Sequence, residues 1–134
     1  MSTDHRRVLV VVEDEPDMVL LIHSKLFVDP RLEIVGDATT ADQAIELART
    51  TSPGLIILDH AIEGDVMGLQ AAPALKAAAP NAKILLFSAF DLKAEAAAEP
   101  AIDAFLSKSD ISKLLKVVQQ LLELPPNGGT ASQP

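Results

Sequence analysis

Val8-Leu9-Val10-Val11-Val12 runs directly into Glu13 and Asp14. Five consecutive apolar residues without alternation read as a strand buried on both faces, and such strands belong to parallel sheets. The same pattern returns three times. Leu55-Ile56-Ile57-Leu58 runs into Asp59, Ile84-Leu85-Leu86-Phe87 into Ser88, and Ala104-Phe105-Leu106-Ser107 into Lys108. Ligands of open parallel sheets bind beyond the carboxyl ends of the strands. The pattern therefore predicts that three carboxylates, a hydroxyl and an ammonium meet at one sheet edge, a set suited to a phosphate and a hard cation.

The segments between these strands read as helices. Pro16 suits a first helical turn, with Asp14 as N-cap and Val19, Ile22, Leu26 and Phe27 as the apolar stripe. Leu32-Glu33-Ile34-Val35-Gly36 alternates like a short, partly exposed strand. Thr40 or Thr39 can cap a helix whose stripe is Ala41, Ala44, Ile45, Leu47 and Ala48. Residues 60–68, with Gly64 and Gly68, read as a loop, and an Ala-rich helix over 69–79 either starts near Pro73 or kinks there. Asp91 to Glu99 is a further helix with Leu92 as its one large apolar residue. Asp110 is expected to cap a last helix carrying Ile111, Leu114, Leu115, Val118, Leu121 and Leu122. Five strands alternating with five helices imply an α/β, doubly wound parallel sheet, (βα)5. Residues 1–7 read as an N-terminal extension, 8–124 as the domain, and 125–134 as a disordered tail.

The bulk properties narrow the function. One domain fits 134 residues. The net charge of -8 repels nucleic acid and anionic lipid, so no direct nucleic-acid contact is expected. Cys is absent, which excludes thiolate catalysis and Cys-ligated zinc. No apolar run is long enough for membrane insertion, and residues 1–7 lack the apolar stretch of a signal peptide, so a cytoplasmic protein is expected.

Residues 8–108 resemble the receiver domain of bacterial two-component response regulators, of the stand-alone type. Val-Val-Glu-Asp-Glu-Pro-Asp (11–17) is similar to that family's acidic pair and first helix, and Leu-Ile-Ile-Leu-Asp (55–59) to its phosphoacceptor strand. Leu-Leu-Phe-Ser-Ala (85–89) and Ala-Phe-Leu-Ser-Lys (104–108) resemble the strands that carry its switch hydroxyl, switch aromatic and lysine. The separations of 45, 29 and 20 residues between Asp14, Asp59, Ser88 and Lys108 suit one or two βα units.

The resemblance implies a flavodoxin-like fold and a signalling protein rather than an enzyme. Asp59 would accept a phosphoryl group from a histidine kinase or histidine phosphotransfer protein. Magnesium, or manganese, would be held by Glu13, Asp14, Asp59 and the backbone carbonyl of Ala61. Lys108 and Ser88 would bind phosphate oxygens, with the small Ala89 leaving room. Ser88 and Phe105 would form the switch that alters contacts with a downstream protein partner, and a homodimer stays open. A hard dication makes chemical sense, because close carboxylates repel by about 4 kcal/mol per pair and magnesium prefers oxygen ligands.

Departures from the family pattern carry their own expectations. Ser109 follows the lysine where proline is usual, so a trans bond is expected. Pro100 to Asp103 replace the usual glycines before the fifth strand. Ala61 and Phe90 stand two residues beyond Asp59 and Ser88, where neither can orient a water, so slow self-dephosphorylation is expected. The thin helix near 91–98 is expected to be mobile. His60 is read as a packing or surface residue, and His5 and His23 have no metal-ligand spacing. Two other readings stand beside this one. A receiver-like scaffold would bind partners without phosphorylation. A small aspartate-nucleophile hydrolase would need a second aspartate, where Ala61 stands, and a cap region.

Overall fold

A computed structural model describes residues 7–126. Its elements alternate along the chain: β1 (Arg7–Val12), α1 (Pro16–Phe27), β2 (Leu32–Ala38), α2 (Ala41–Thr51), β3 (Leu55–Leu58), α3 (Gly68–Ala78), β4 (Lys83–Ser88), α4 (Lys93–Ala98), β5 (Ala104–Ser107), a 3-10 segment (Lys108–Lys113) and α5 (Leu114–Leu121). One sheet holds all five strands in the order β2-β1-β3-β4-β5, every pair parallel. The fold class read from the sequence holds. The chain order reverses at β1, which lies between β2 and β3, and that reversal opens a crevice at the carboxyl ends of β1 and β3.

Strand alternation divides each apolar run between two cores. Val10, Val12, Ile56, Leu58, Ile84 and Leu86 face α2, α3 and α4. Leu9, Val11, Leu55, Ile57, Leu85 and Phe87 face α1 and α5. Full burial of each such side chain contributes about 1.5–3 kcal/mol, and this is why the runs carry no polar residue. The two layers differ in filling. Ala41, Ala44, Ala48, Ala71 and Ala72 let α2 and α3 lie close to the sheet and each other, whereas Ile22, Leu26, Leu114 and Val118 fill the opposite layer.

Several local expectations change. Arg7 belongs to β1, donating its backbone N–H to the Arg31 carbonyl at 2.7 Å. The N-cap of α1 is Glu15, not Asp14, because the Glu15 amide is taken by Oε2 of Glu13 at 3.2 Å and Asp14 joins a carboxylate cluster instead. Phe27 is 87% exposed and leaves the predicted buried stripe. Of the two threonines, Thr40 caps α2 through the Gln43 amide. Helix α3 starts at Gly68 and contains Pro73, whose ring lies on an exposed face. Helix α4 is shorter than expected and begins after Asp91. Asp110 does not cap the last helix. It sits inside the 3-10 segment with φ -102 and ψ 32, and Ser107 caps that segment by accepting from Ser109. Among the described residues no peptide bond is cis, so Lys108–Ser109 is trans as expected. Of the expected tail only Pro125 and Pro126 are described. Residues 127–134, and residues 1–6 of the expected extension including His5, lie outside the described residues.

Candidate functional site

The sheet register brings the four strand ends level. Val12 pairs with Leu58, Leu58 with Leu86, and Ser88 with Ser107. Asp59 donates its amide to the Val12 carbonyl at 3.0 Å, and Glu13 donates to the Ala38 carbonyl at 2.9 Å, so both are held by ladder bonds continued past the strands. The side chains of Glu13, Asp59 and Ser88 are buried, and Asp14 and Lys108 are half-buried.

Lys108 is the hub of the charge cluster. Its Nζ donates to Oδ2 of Asp59 at 2.8 Å and stands 2.8 Å from Oε1 of Glu13. The second contact is an ion pair without hydrogen-bond alignment, so Glu13 Oε1 is a buried oxygen with no aligned donor. Burial pushes the Glu13 carboxyl up, the Lys108 ammonium opposes that, and the Asp59 charge adds to it; the net direction is upward. Burial alone would lower Lys108, but its contacts with Asp59 and Glu13 outweigh it and the ammonium is held above its usual range. One cation thus faces two buried anions.

Glu13, Asp14 and Asp59 each offer a carboxylate oxygen, and these atoms lie within 4.8 Å of one another. That donor set fits a hard divalent cation, which prefers oxygen ligands. Glu13 Oε1, ion-paired with Lys108 but without an aligned hydrogen bond, adds to the buried negative charge that such an ion would offset. Ala61 is exposed in the β3–α3 loop, outside this side-chain cluster.

Ser88 Oγ accepts from the Phe90 amide at 3.0 Å, a local turn that fixes the hydroxyl at the end of β4. Ala89 and Phe90 are exposed beside it. Phe105 is half-buried on β5 and packs against the α2–α3–α4 core. It lines a cleft of about 250 Å³ with Lys93, Ala96 and Ala97 of α4. Only Ala96 of α4 is buried.

Two residues that the sequence reading left in a loop position the site. Gly68 donates its amide to the His60 carbonyl at 2.8 Å. A Cβ at Gly68 would fall 1.9 Å from the Asp59 carbonyl oxygen, so only glycine lets α3 start against that backbone. His60 Nδ1 accepts from the Leu69 amide at 3.2 Å, satisfying an orphan donor of the first turn of α3. A glycine opening an apolar helix soon after a strand-end carboxylate was the available signal. His23 pairs with Asp37 at 2.8 Å, away from the acidic cluster.

The profile of the response regulator receiver domain matches residues 9–119. The chain is 27% identical to the nitrate/nitrite response regulator protein NarL of Escherichia coli K12 over 123 residues, 90% of this chain and 56% of that protein. It is 29% identical to the response regulator protein VraR of Staphylococcus aureus over 107 residues, 78% of this chain and 51% of that protein. The chain thus spans about half the length of these curated relatives. Among solved structures, the receiver domain of the putative response regulator NarL from Mycobacterium tuberculosis superposes with a TM-score of 0.80 at 24% identity, covering 89% of this chain and 98% of that one. The response regulator domain of Thermotoga maritima CheB gives 0.77 at 18% identity, over 90% and 99%. These two likenesses carry the fold. With the profile match across most of the chain, the conclusion is that this protein belongs to the response regulator receiver domain family.

Proposed function

We propose that Asp59 is the phosphoacceptor of this receiver domain, taken as residues 8–124, and that a histidine kinase or phosphotransfer protein supplies the phosphoryl group. The observation that carries this reading is the ammonium of Lys108 set against both Asp59 and Glu13. A carboxylate oxygen of Asp59 attacks phosphorus, the bond from phosphorus to the donor's imidazole nitrogen breaks, and its electron pair leaves with the imidazole. Lys108 transfers its contact from Asp59 to a phosphoryl oxygen, where a point charge offsets the incoming negative charge. The Ser88 proton is the second donor, since its oxygen already accepts from Phe90. Glu13, Asp14, Asp59 and the Ala61 carbonyl would hold magnesium or manganese. That ion supplies charge neutralisation between the carboxylates and the phosphoryl oxygens.

The readout proceeds through β5 and α4. Ser88 moving toward the phosphoryl oxygen vacates space that Phe105 fills, and the cleft beside α4 closes or reshapes for a downstream protein. The weak anchoring of α4 by Ala96 supports that role. With Ala61 and Phe90 exposed and unable to orient water, the phosphorylated form is long-lived.

Intact mass spectrometry after incubation with acetyl phosphate and magnesium tests this. A single phosphoryl adduct that requires the metal and is absent in Asp59→Asn is expected. No adduct on the folded wild type would favour a scaffold that binds partners without phosphorylation. Turnover of a generic phosphomonoester would favour a hydrolase.

A further inference from the structure

The loop between β3 and α3 is anchored on either side of Ala61. Before Ala61 stands His60, which is bonded twice to the start of α3. Its carbonyl accepts from the Gly68 amide at 2.8 Å, and its Nδ1 accepts from the Leu69 amide at 3.2 Å. After Ala61, Ile62 is buried in the core shared by α2 and α3. The Glu63 amide then donates to the Thr39 carbonyl at 3.0 Å, beside a parallel bridge between Thr40 and Glu63. Each residue has only two soft backbone dihedrals. With both of its neighbours held, the Ala61 carbonyl has little freedom of direction, although the residue itself is exposed. The two bonds to His60 differ in what they ask of the sequence. Any residue at this position could supply the carbonyl. The second bond needs a side-chain acceptor, and a ring nitrogen that accepts carries no proton, so the imidazole N–H is on Nε2.

We propose that His60 is a positioning residue for the divalent cation: its imidazole, by holding the first turn of α3 against the end of β3, fixes the direction of the Ala61 carbonyl. The proposal rests on the reading of Glu13, Asp14, Asp59 and the Ala61 carbonyl as the cation's ligands. It adds the group that orients the one ligand not carried by a side chain. A carboxylate can rotate about its own side-chain bonds to meet an ion, whereas a backbone carbonyl moves only with its loop. The loop base is close-packed at this point, since a Cβ at Gly68 would fall 1.9 Å from the Asp59 carbonyl oxygen. Loss of the imidazole contact leaves the Leu69 amide without its acceptor and lets the first turn of α3 draw away from His60. The Ala61 carbonyl then loses one of its two anchors. Magnesium demands near-ideal octahedral geometry, while calcium accepts an irregular one. A loosened carbonyl therefore weakens magnesium more than calcium, and His60 governs selectivity as well as affinity.

Titration of the full chain with magnesium chloride and, separately, with calcium chloride, followed by amide nuclear magnetic resonance, tests the assignment without any phosphoryl donor. Wild type is compared with His60→Leu, which keeps bulk but removes the acceptor, and with His60→Asn, whose Oδ1 can accept from the Leu69 amide as capping side chains do. His60→Leu should bind magnesium roughly tenfold more weakly. Calcium should weaken by a smaller factor, and the Leu69 amide should exchange faster. His60→Asn should recover both the affinity and the protection. A role confined to overall stability would weaken the two cations alike. A measurement on the wild type stands apart from the variants: in mildly alkaline buffer its ring-nitrogen spectrum should place the His60 proton on Nε2. A wild type that takes up no magnesium overturns the ligand reading, and this proposal with it. Where the wild type does bind, the proposal alone is overturned by unchanged magnesium affinity in His60→Leu, by equal losses for the two cations, by failure of His60→Asn to recover affinity, or by a proton on Nδ1.

Discussion

Replacing Asp14 by Asn should stabilise the protein in the absence of divalent cations and remove its response to them. The carboxylate oxygens of Glu13, Asp14 and Asp59 lie within 4.8 Å of one another. Two unit charges at that separation repel by about 3.5 kcal/mol at an effective dielectric near 20. Glu13 and Asp59 offset this through Lys108 at 2.8 Å from each. Among the described residues Asp14 makes no such ion pair, and it carries two repulsions. It is half-buried, so water screens it, and a net gain of about 1–2 kcal/mol remains for Asp14→Asn. For a domain of this size that raises Tm by roughly 3–8 °C. The assay is thermal unfolding in chelator and again with magnesium. Wild type should gain in magnesium, by about 2.7 kcal/mol when the ion stands at a hundred times its dissociation constant. Asp14→Asn should start higher and gain little. A variant less stable than wild type in chelator, or one that keeps the full magnesium shift, would refute the electrostatic account of the cluster.

Further expectations rest on other parts of the molecule. Gly68→Ala sets a methyl group 1.9 Å from the Asp59 carbonyl oxygen; the backbone must shift, at a cost of about 2–3 kcal/mol in denaturant unfolding, and acetyl-phosphate labelling should slow as Asp59 moves. Asp29 is buried, and the Arg31 guanidinium and Gln119 amide beside it hold its carboxyl at about 2, against an ordinary 3.8. Its folded pKa is depressed, so its contribution of about 2 kcal/mol is complete above pH 4 and is lost as pH falls through 2. Asp29→Asn should lose that stability at pH 7 and show a flatter acid limb; equal acid limbs would contradict the assignment. Amide hydrogen exchange in α4, whose one buried residue is Ala96, should be faster than in α5, which buries Leu114 and Val118; equal protection would remove α4 as the mobile element. The half-life of the phosphorylated form should be minutes or longer, and one of seconds would contradict the reading of Ala61 and Phe90.

Much of the protein was legible in its sequence, because its three central strands, β1, β3 and β4, are buried on both faces. Uninterrupted runs such as Val8–Val12 and Leu55–Leu58 admit few other structures, and their polar terminators had to gather where parallel strands end. Lys108, Asp59 and Glu13 do meet there, within hydrogen-bond or ion-pair distance. Local propensity was a weaker guide where long-range contacts compete with it. Asp14 is a good cap in isolation, but the cluster claims it. Asp110 is displaced by the Ser107–Ser109 turn. Phe27 fits a helical stripe by spacing, yet α1 turns it outward because Ile22 and Leu26 already fill the layer over the sheet. Tertiary structure alone decided the close approach of Gly68 to the Asp59 backbone, the Asp29–Arg31–Gln119 clamp and the bare face of α1. The first two depend on the angle at which separate elements meet, and the third on which side of α1 the rest of the chain leaves uncovered; residue spacing along one segment carries no record of either.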